Sequence, residues 1–217
     1  MEKFIVLSEG LLGYFRMDDL RETIKTYDDF SEIFINRYLE NKEIIPFRNE
    51  FLSLVKGNII LDVGSGSGRD SKFFFDKGFE VKSIDLSEKM INFSSNYCRD
   101  VDFIKMDFNK LDFEDGFFDG LWVSSSIVHV KKENIENVIK EFYRVLKIGG
   151  VIFISFKPGN KEEFVKEDYL LGEGRFFAFY FLDELRKLLI LSGFEIIKHN
   201  TLELNSNWNV IFARKIS

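Results

Sequence analysis

The chain has 217 residues, 45% hydrophobic and 30% charged, a balance that excludes disorder and leaves enough apolar surface for one α/β core with a helical addition. Its formal net charge of −6 disfavours a nucleic-acid partner, because the molecule as a whole repels a phosphate backbone. A single cysteine, Cys98, and two histidines, His129 and His199, exclude an internal disulfide and a cysteine-built zinc site, so no metal is expected.

Residues 1–15 hold a short apolar run interrupted by Glu2, Lys3 and Glu9. They lack the basic leader, long apolar stretch and small-residue cleavage site of a secretory signal. No apolar window approaches the roughly 18 residues that span a bilayer. The expectation is a cytoplasmic protein, monomeric or homodimeric, without membrane contact.

In chain order, the spacing of Leu20, Ile24, Tyr27, Phe30, Ile33, Phe34, Arg37 and Tyr38 predicts a helix over 18–40, and a shorter one follows Pro46 over 47–55. At Asn58 the period changes. Residues 58–63 form a continuous apolar run ending beside Asp62, followed by Gly64-Ser65-Gly66-Ser67-Gly68, the pattern of a buried parallel strand entering a tight turn. Helices are predicted over 69–76, 88–97 and 132–146, and strands over 80–84, 101–105, 118–123 and 151–156. Such alternation predicts βαβ crossovers and a doubly wound, mostly parallel sheet. A helix over 181–191, stopped by Gly193, and strands over 194–198 and 207–214 complete seven strands, the last two consecutive, so antiparallel pairing is expected at that edge. The whole reads as one Rossmann-like α/β domain, with 1–56 a helical prelude and 57–217 the core. The 26 phenylalanines read as core filling and, where they cluster, as pocket lining.

Glycines at 64, 66 and 68 let backbone approach a ligand closely, beside the unpaired N–H groups of the next helix. The third glycine comes one residue early for a dinucleotide fingerprint, and the spacing also lacks the lysine of a phosphate-binding loop. Asp85, in Ser83-Ile84-Asp85-Leu86-Ser87, stands about twenty residues past the turn, where a carboxylate accepts hydrogen bonds from ribose hydroxyls. A nucleoside is the expected ligand. Ser87 reads as a helix N-cap with Met90 at its third position; Met90 is also a candidate to pack beside the ribose or base. Taken singly, Asp107 reads equally as a solvated loop acid.

Together, Ile60-Leu61-Asp62-Val63-Gly64-Ser65-Gly66-Ser67-Gly68, Ile84-Asp85-Leu86-Ser87, Met106-Asp107-Phe108, Phe118-Asp119-Gly120-Leu121 and the run from Glu141 to Gly150 resemble the class I S-adenosylmethionine-dependent methyltransferases. The resemblance runs from about 27 to 215. It implies S-adenosyl-L-methionine as cofactor and S-adenosyl-L-homocysteine as product. It implies that Asp62 reaches the methionine ammonium, that Gly64, Ser65 and Gly66 flank the methionine portion, and that Asp85 holds the ribose. Leu86 would pack on adenine, Asp107 would accept from its exocyclic amine beside Phe108, and Ser124 would line the methyl-transfer region. Tyr27-Asp28 matches a Tyr-Asp pair that closes over the cofactor, against an ordinary tyrosine on a helix face. Ile148 stands where the family often has proline.

Methyl transfer from a sulfonium needs positioning more than a catalytic group. His129 is the candidate base or acceptor ligand for an oxygen or nitrogen acceptor, against a structural histidine. The long segment 157–181, read as a flexible entry followed by an aromatic patch, is the expected acceptor lid, with Arg175 or Tyr180 meeting an acceptor carboxylate or hydroxyl. A small-molecule acceptor is expected. The alternatives are a wobble-uridine type tRNA methyltransferase, suggested by the aromatic segment and Trp208, and a non-catalytic S-adenosylmethionine-binding protein.

Overall fold

The change of hydrophobic period at Asn58 becomes the first strand of the sheet, β1 (Ile59–Val63), whose residues point alternately into two cores. Leu61 and Val63 bury on one face and Ile60 on the other, as a central strand covered by helices on both sides requires. The computed structural model of the protein describes residues 19–41, 44–203 and 207–216; the expectation drawn from 1–15 lies outside them. Among the described residues no helix is long and apolar enough to cross a membrane.

The elements before β1 are α1 (Asp19–Asp29), α2 (Ser31–Leu39) and α3 (Ile45–Leu54), the last with proline in its first turn. After β1 come α4 (Arg69–Asp76), β2 (Glu80–Asp85), α5 (Glu88–Tyr97), β3 (Asp102–Lys105), β4 (Phe118–Ser124), a short helical turn (Ile127–His129), α6 (Ile135–Val145) and β5 (Leu146–Phe156). The chain then forms a hairpin of β6 (Glu162–Lys166) and β7 (Gly174–Ala178), followed by α7 (Leu182–Leu191), β8 (Phe194–Glu203) and β9 (Asn207–Lys215). The sheet order is β3-β2-β1-β4-β5-β9-β8. Strands β1 to β5 are mutually parallel, and β9 runs antiparallel between β5 and β8. The short connection between β8 and β9 dictates that pairing, since a parallel neighbour needs a crossover. Strand order reverses between β1 and β4, which opens a crevice at their carboxyl ends.

Phenylalanine fills the face under α3 and α4. Phe51, Phe74, Phe153 and Phe212 are fully buried around Trp122, whose ring stacks on Phe153 at 4.0 Å between centroids. The indole N–H is not stranded there, because Nε1 donates to Asp70 at 2.8 Å.

Two expectations are corrected. The helix predicted over 18–40 is two helices, broken where Phe30 leaves helical geometry (φ −112°, ψ 24°). The break serves two attachments that one straight helix could not. Asp28, at the end of α1, accepts from Ser87 Oγ (2.6 Å) and Lys89 N (3.1 Å) at the start of α5, while Phe34 and Ile35 of α2 bury with Met90 and Leu170. The segment 157–181 is a hairpin where a flexible loop was expected, with Phe164 opposite Phe176 and Val165 opposite Arg175. On β7, the backbone groups of Phe176 and Gly174 bond to the hydroxyls of Thr23 (2.9 Å) and Thr26 (2.8 Å). Helix α1 thus caps the hairpin with side chains, and the two together roof the crevice.

Candidate active site

The turn after β1 is held in an unusual backbone state by its neighbours. Gly64 N and Ser65 N both donate to the Ile84 carbonyl (2.8 and 3.0 Å), and Gly64 and Gly66 have φ of +71° and +53°. A Cβ at Gly64 would lie 2.5 Å from Ser126 Cβ. Gly64→Ala therefore combines left-handed strain with a clash and should cost about 2–4 kcal/mol, read as a lower thermal midpoint; an unchanged midpoint would show that the turn relaxes freely. At Gly66 the same atom would meet nothing within 4 Å, so the turn opens on a cavity of about 630 Å³.

Asp62, at the base of this cavity, is 2% exposed and accepts from Ser71 Oγ at 2.6 Å. Burial, and then the charge of nearby Asp70, push its carboxyl up to about 8. Asp70 is buried as well, but Arg69 (Nε at 2.8 Å), Arg48 (Nε at 3.2 Å) and the Trp122 N–H hold it below the usual carboxylate range. One acid of the pair is thus kept ionised by cations and the other is kept neutral by its surroundings.

Asp85, at the end of β2, uses one carboxylate oxygen to accept from Gly66 N and the other to accept from Ser87 N, each at 2.8 Å. It ties the glycine turn to the start of α5 while still facing the cavity. Burial raises its pKa, and those backbone donors oppose the rise. Ser87 caps α5 by accepting from Met90 N at 3.1 Å, and Leu86, Met90, Phe108 and Ser124 line the same cavity. Asp107 is set one step back. It lines an adjoining recess of about 200 Å³ with Leu86, Phe108 and His129, and its Oδ1 accepts from Asn109 N and Nδ2.

At the far end of the cavity the roof meets the sheet. His129 is half-buried; its Nδ1 lies 2.7 Å from the Phe176 carbonyl and its Nε2 2.9 Å from Tyr27 Oη. A carbonyl only accepts, so Nδ1 carries the hydrogen and Nε2 accepts from the tyrosine. Tyr27 in turn accepts from Arg175 Nη1 at 2.7 Å. Arg175 is 5% exposed as a residue, and its guanidinium also pairs with Glu167 and donates to Tyr38 and Tyr169. Burial first, then the Arg175 charge, press the imidazole down to about 3. A histidine neutral in the fold and charged when unfolded favours folding above its ordinary value of 6.5, and that contribution drains away as pH falls from there toward 3. The His129 ring resonances should not titrate between pH 5 and 8, and His129→Gln should soften the loss of stability on acidification; a midpoint near 6.5 would contradict this placement.

The structure brings Asp62, Gly64, Ser65, Gly66, Asp85, Leu86, Met90, Phe108, Ser124, Tyr27, His129 and Arg175 around one cavity. It does not bring Tyr180 there: that side chain is fully buried and its hydroxyl donates to the Val130 carbonyl at 2.9 Å. Sequence reasoning missed Arg37, Tyr38, Arg69, Ser125, Ser155, Lys157, Glu167 and Tyr169, all of which line the cavity. Ser155 and Lys157 had a signal, because Ser155 pairs with Ser124 and the end of a strand beside the switch point faces the ligand. Ser125 sits in left-handed backbone at φ 60° with its N–H donating to Ser155 Oγ at 2.8 Å. The side-chain oxygens of Ser65 and Ser126, both residues of the cavity wall, are buried without a hydrogen-bond partner among the described residues.

Residues 61–154 match a family described as a methyltransferase domain. The chain is 30% identical over 169 residues to the sterol 24-C-methyltransferase of Saccharomyces cerevisiae, covering 70% of this chain and 43% of that protein. It is 32% identical over 101 residues to the demethylmenaquinone methyltransferase of Renibacterium salmoninarum, covering 46% and 42%. It thus spans less than half the length of these curated relatives. Among solved structures it is similar to the 1,6-didemethyltoxoflavin-N1-methyltransferase of Burkholderia thailandensis with bound 1,6-didemethyltoxoflavin and S-adenosylhomocysteine, at TM-score 0.74 and 18% identity, covering 97% of this chain and 94% of that one. The strand order and the glycine turn hung on β2 agree with these matches: residues 61–154 match a methyltransferase domain, and the chain has the fold of that solved methyltransferase.

Proposed function

We propose that the cavity binds S-adenosylmethionine and that the chain transfers the cofactor's methyl group to a small-molecule acceptor. The observation that carries this reading is Asp85. A carboxylate that organises both the glycine turn and the start of α5, and faces the cavity at the switch point, is placed to accept from the two hydroxyls of a ribose.

The remaining groups fit the same ligand. Asp62 suits an ammonium, because an adjacent cation favours the ionised form that burial opposes. The hydroxyls of Ser65 and Ser126, without a hydrogen-bond partner among the described residues, are available to polar groups at the methionine end, beside Gly64, Gly66 and Ser124. Leu86, Met90 and Phe108 offer apolar contact for adenine, with Asp107 behind them in the adjoining recess. When bound, the sulfonium supplies a methyl group already activated toward nucleophiles. The chain's own work is then to orient the acceptor and exclude water, which in well-aligned systems is worth up to about 7–11 kcal/mol.

The roof of α1 and the hairpin does the excluding, and Tyr27 is its point of entry to the site. His129, near 3, is too weak a base to keep a proton taken from an acceptor near neutral pH. Its role in this reading is to hold the Tyr27 hydroxyl between Nε2 and Arg175. One cavity of about 630 Å³ must take both the cofactor and the acceptor, which favours a small acceptor.

Labelled methyl transfer from S-adenosylmethionine into small-molecule and tRNA fractions tests the proposal. Label in a small-molecule fraction is the expected result. Label confined to tRNA would replace the acceptor class, and tight binding of S-adenosylhomocysteine without transfer to any fraction would overturn the enzymatic reading.

A further inference from the structure

Lys157 follows directly on β5 and lines the cavity. Among the described residues its ammonium has no hydrogen bond and no ion pair. Its neighbours are rings, with Phe177 at 4.8 Å and Trp208 at 5.6 Å from Nζ to the ring centroids. Aromatic faces compensate a cation by only about 0.5–2 kcal/mol, far less than a carboxylate at hydrogen-bond distance. The charges around it do not supply the difference. Glu167, the acid that faces this end, is paired with Arg175, and Arg37 and Arg175 add two further cations. His129 is neutral there. Burial and these two arginines press the lysine below its ordinary value, the direction expected of a cation without a counter-ion. A half-buried, uncompensated positive charge in the wall of a cavity is complementary to an anion.

The methionine end of the cofactor is not the natural source of that anion. Asp62 lies on β1, and β5 is the second strand away across β4, which at the usual strand spacing is about 10 Å along the sheet. Resting on the cofactor reading above, we propose that Lys157, seated between Phe177 and Trp208, is the acceptor-specificity residue and binds an anionic oxygen, a carboxylate or an ionised hydroxyl, on the small-molecule acceptor. Arg175 does not take this role because its guanidinium is already engaged by Glu167 and by the hydroxyls of Tyr27, Tyr38 and Tyr169. It supports the wall from which Lys157 acts.

The test uses the full chain saturated with S-adenosylhomocysteine and equilibrium dialysis of acetate, benzoate and cinnamate, each against its primary amide. The expected result is binding of the acids at least about tenfold tighter than their amides, equivalent to about 1.4 kcal/mol. That preference should vanish in Lys157→Gln and persist in Lys157→Arg, with equal affinity for S-adenosylhomocysteine in all three proteins. Four results would overturn the proposal: none of the acids binds, the wild type shows no preference for acid over amide, the preference survives in Lys157→Gln, or Lys157→Gln weakens S-adenosylhomocysteine instead. Failure of the wild type to bind S-adenosylhomocysteine at all is read separately, in the first step; it removes the cofactor reading and this inference with it.

Discussion

Asp85→Ala should weaken S-adenosylhomocysteine binding by at least about a hundredfold, because it removes charged hydrogen bonds worth about 1.5–3 kcal/mol each. The loss has two sources. The ribose would lose its acceptor, and Gly66 N and Ser87 N would lose the carboxylate that now joins them at 2.8 Å, so the glycine turn would no longer be pre-shaped for the ligand. Asp85→Asn keeps the size and one acceptor oxygen but turns its other end into a donor, facing either Gly66 N or Ser87 N. It should fall between the two. Calorimetry on protein whose thermal midpoint stays well above the working temperature separates lost affinity from lost fold. An affinity for Asp85→Ala within threefold of wild type would remove the ribose role.

Asp62 leads to a second large effect, in pH. With its carboxyl near 8 in the free protein, the group is largely protonated at neutral pH, and an ammonium placed beside it would draw it into the ionised form. Binding should then release close to one proton at pH 7. Affinity should rise about tenfold per pH unit from 6 toward 8, and level off once the carboxyl is ionised in the free protein as well. Calorimetry in buffers of different ionisation enthalpy reads the proton directly, and Asp62→Asn should flatten the profile. In the free protein the same shift works against stability. The folded carboxyl is harder to ionise than the unfolded one, so stability is lost as pH climbs from the ordinary 3.8 through about 8. Pairing with the ligand should cancel that loss. A pH-independent affinity with no buffer dependence would show that Asp62 meets no cation.

The Tyr27-Asp28 pair was legible as a motif, yet its division of labour was not: Asp28 leaves the site to bind Ser87 Oγ and Lys89 N, while Tyr27 stays between His129 and Arg175. The break at Phe30 that permits this is invisible to periodicity, since Phe34 and Ile35 continue the apolar pattern without a proline or glycine. The hairpin was hidden for a related reason. Glu162–Lys166 is too polar to read as a strand, and Gly174–Ala178 is stabilised along its other edge by threonine hydroxyls about 150 residues earlier. Tyr180 was misplaced because an aromatic at the end of an aromatic run carries no mark of which way it turns.

What the sequence determined by itself is the core and its crevice. Apolar runs, glycine punctuation and alternating periods are local, and they dictate a parallel sheet whose strand ends converge near Gly64 and Asp85. Tertiary structure decided the charge states and the partners of the polar groups. That Asp62 is held near 8, that His129 is held near 3 and that Lys157 lacks a counter-ion among the described residues depend on burial and on side chains distant in the chain. Long-range packing sets the local dielectric and the neighbours of each charge, and neither is written in the order of nearby residues.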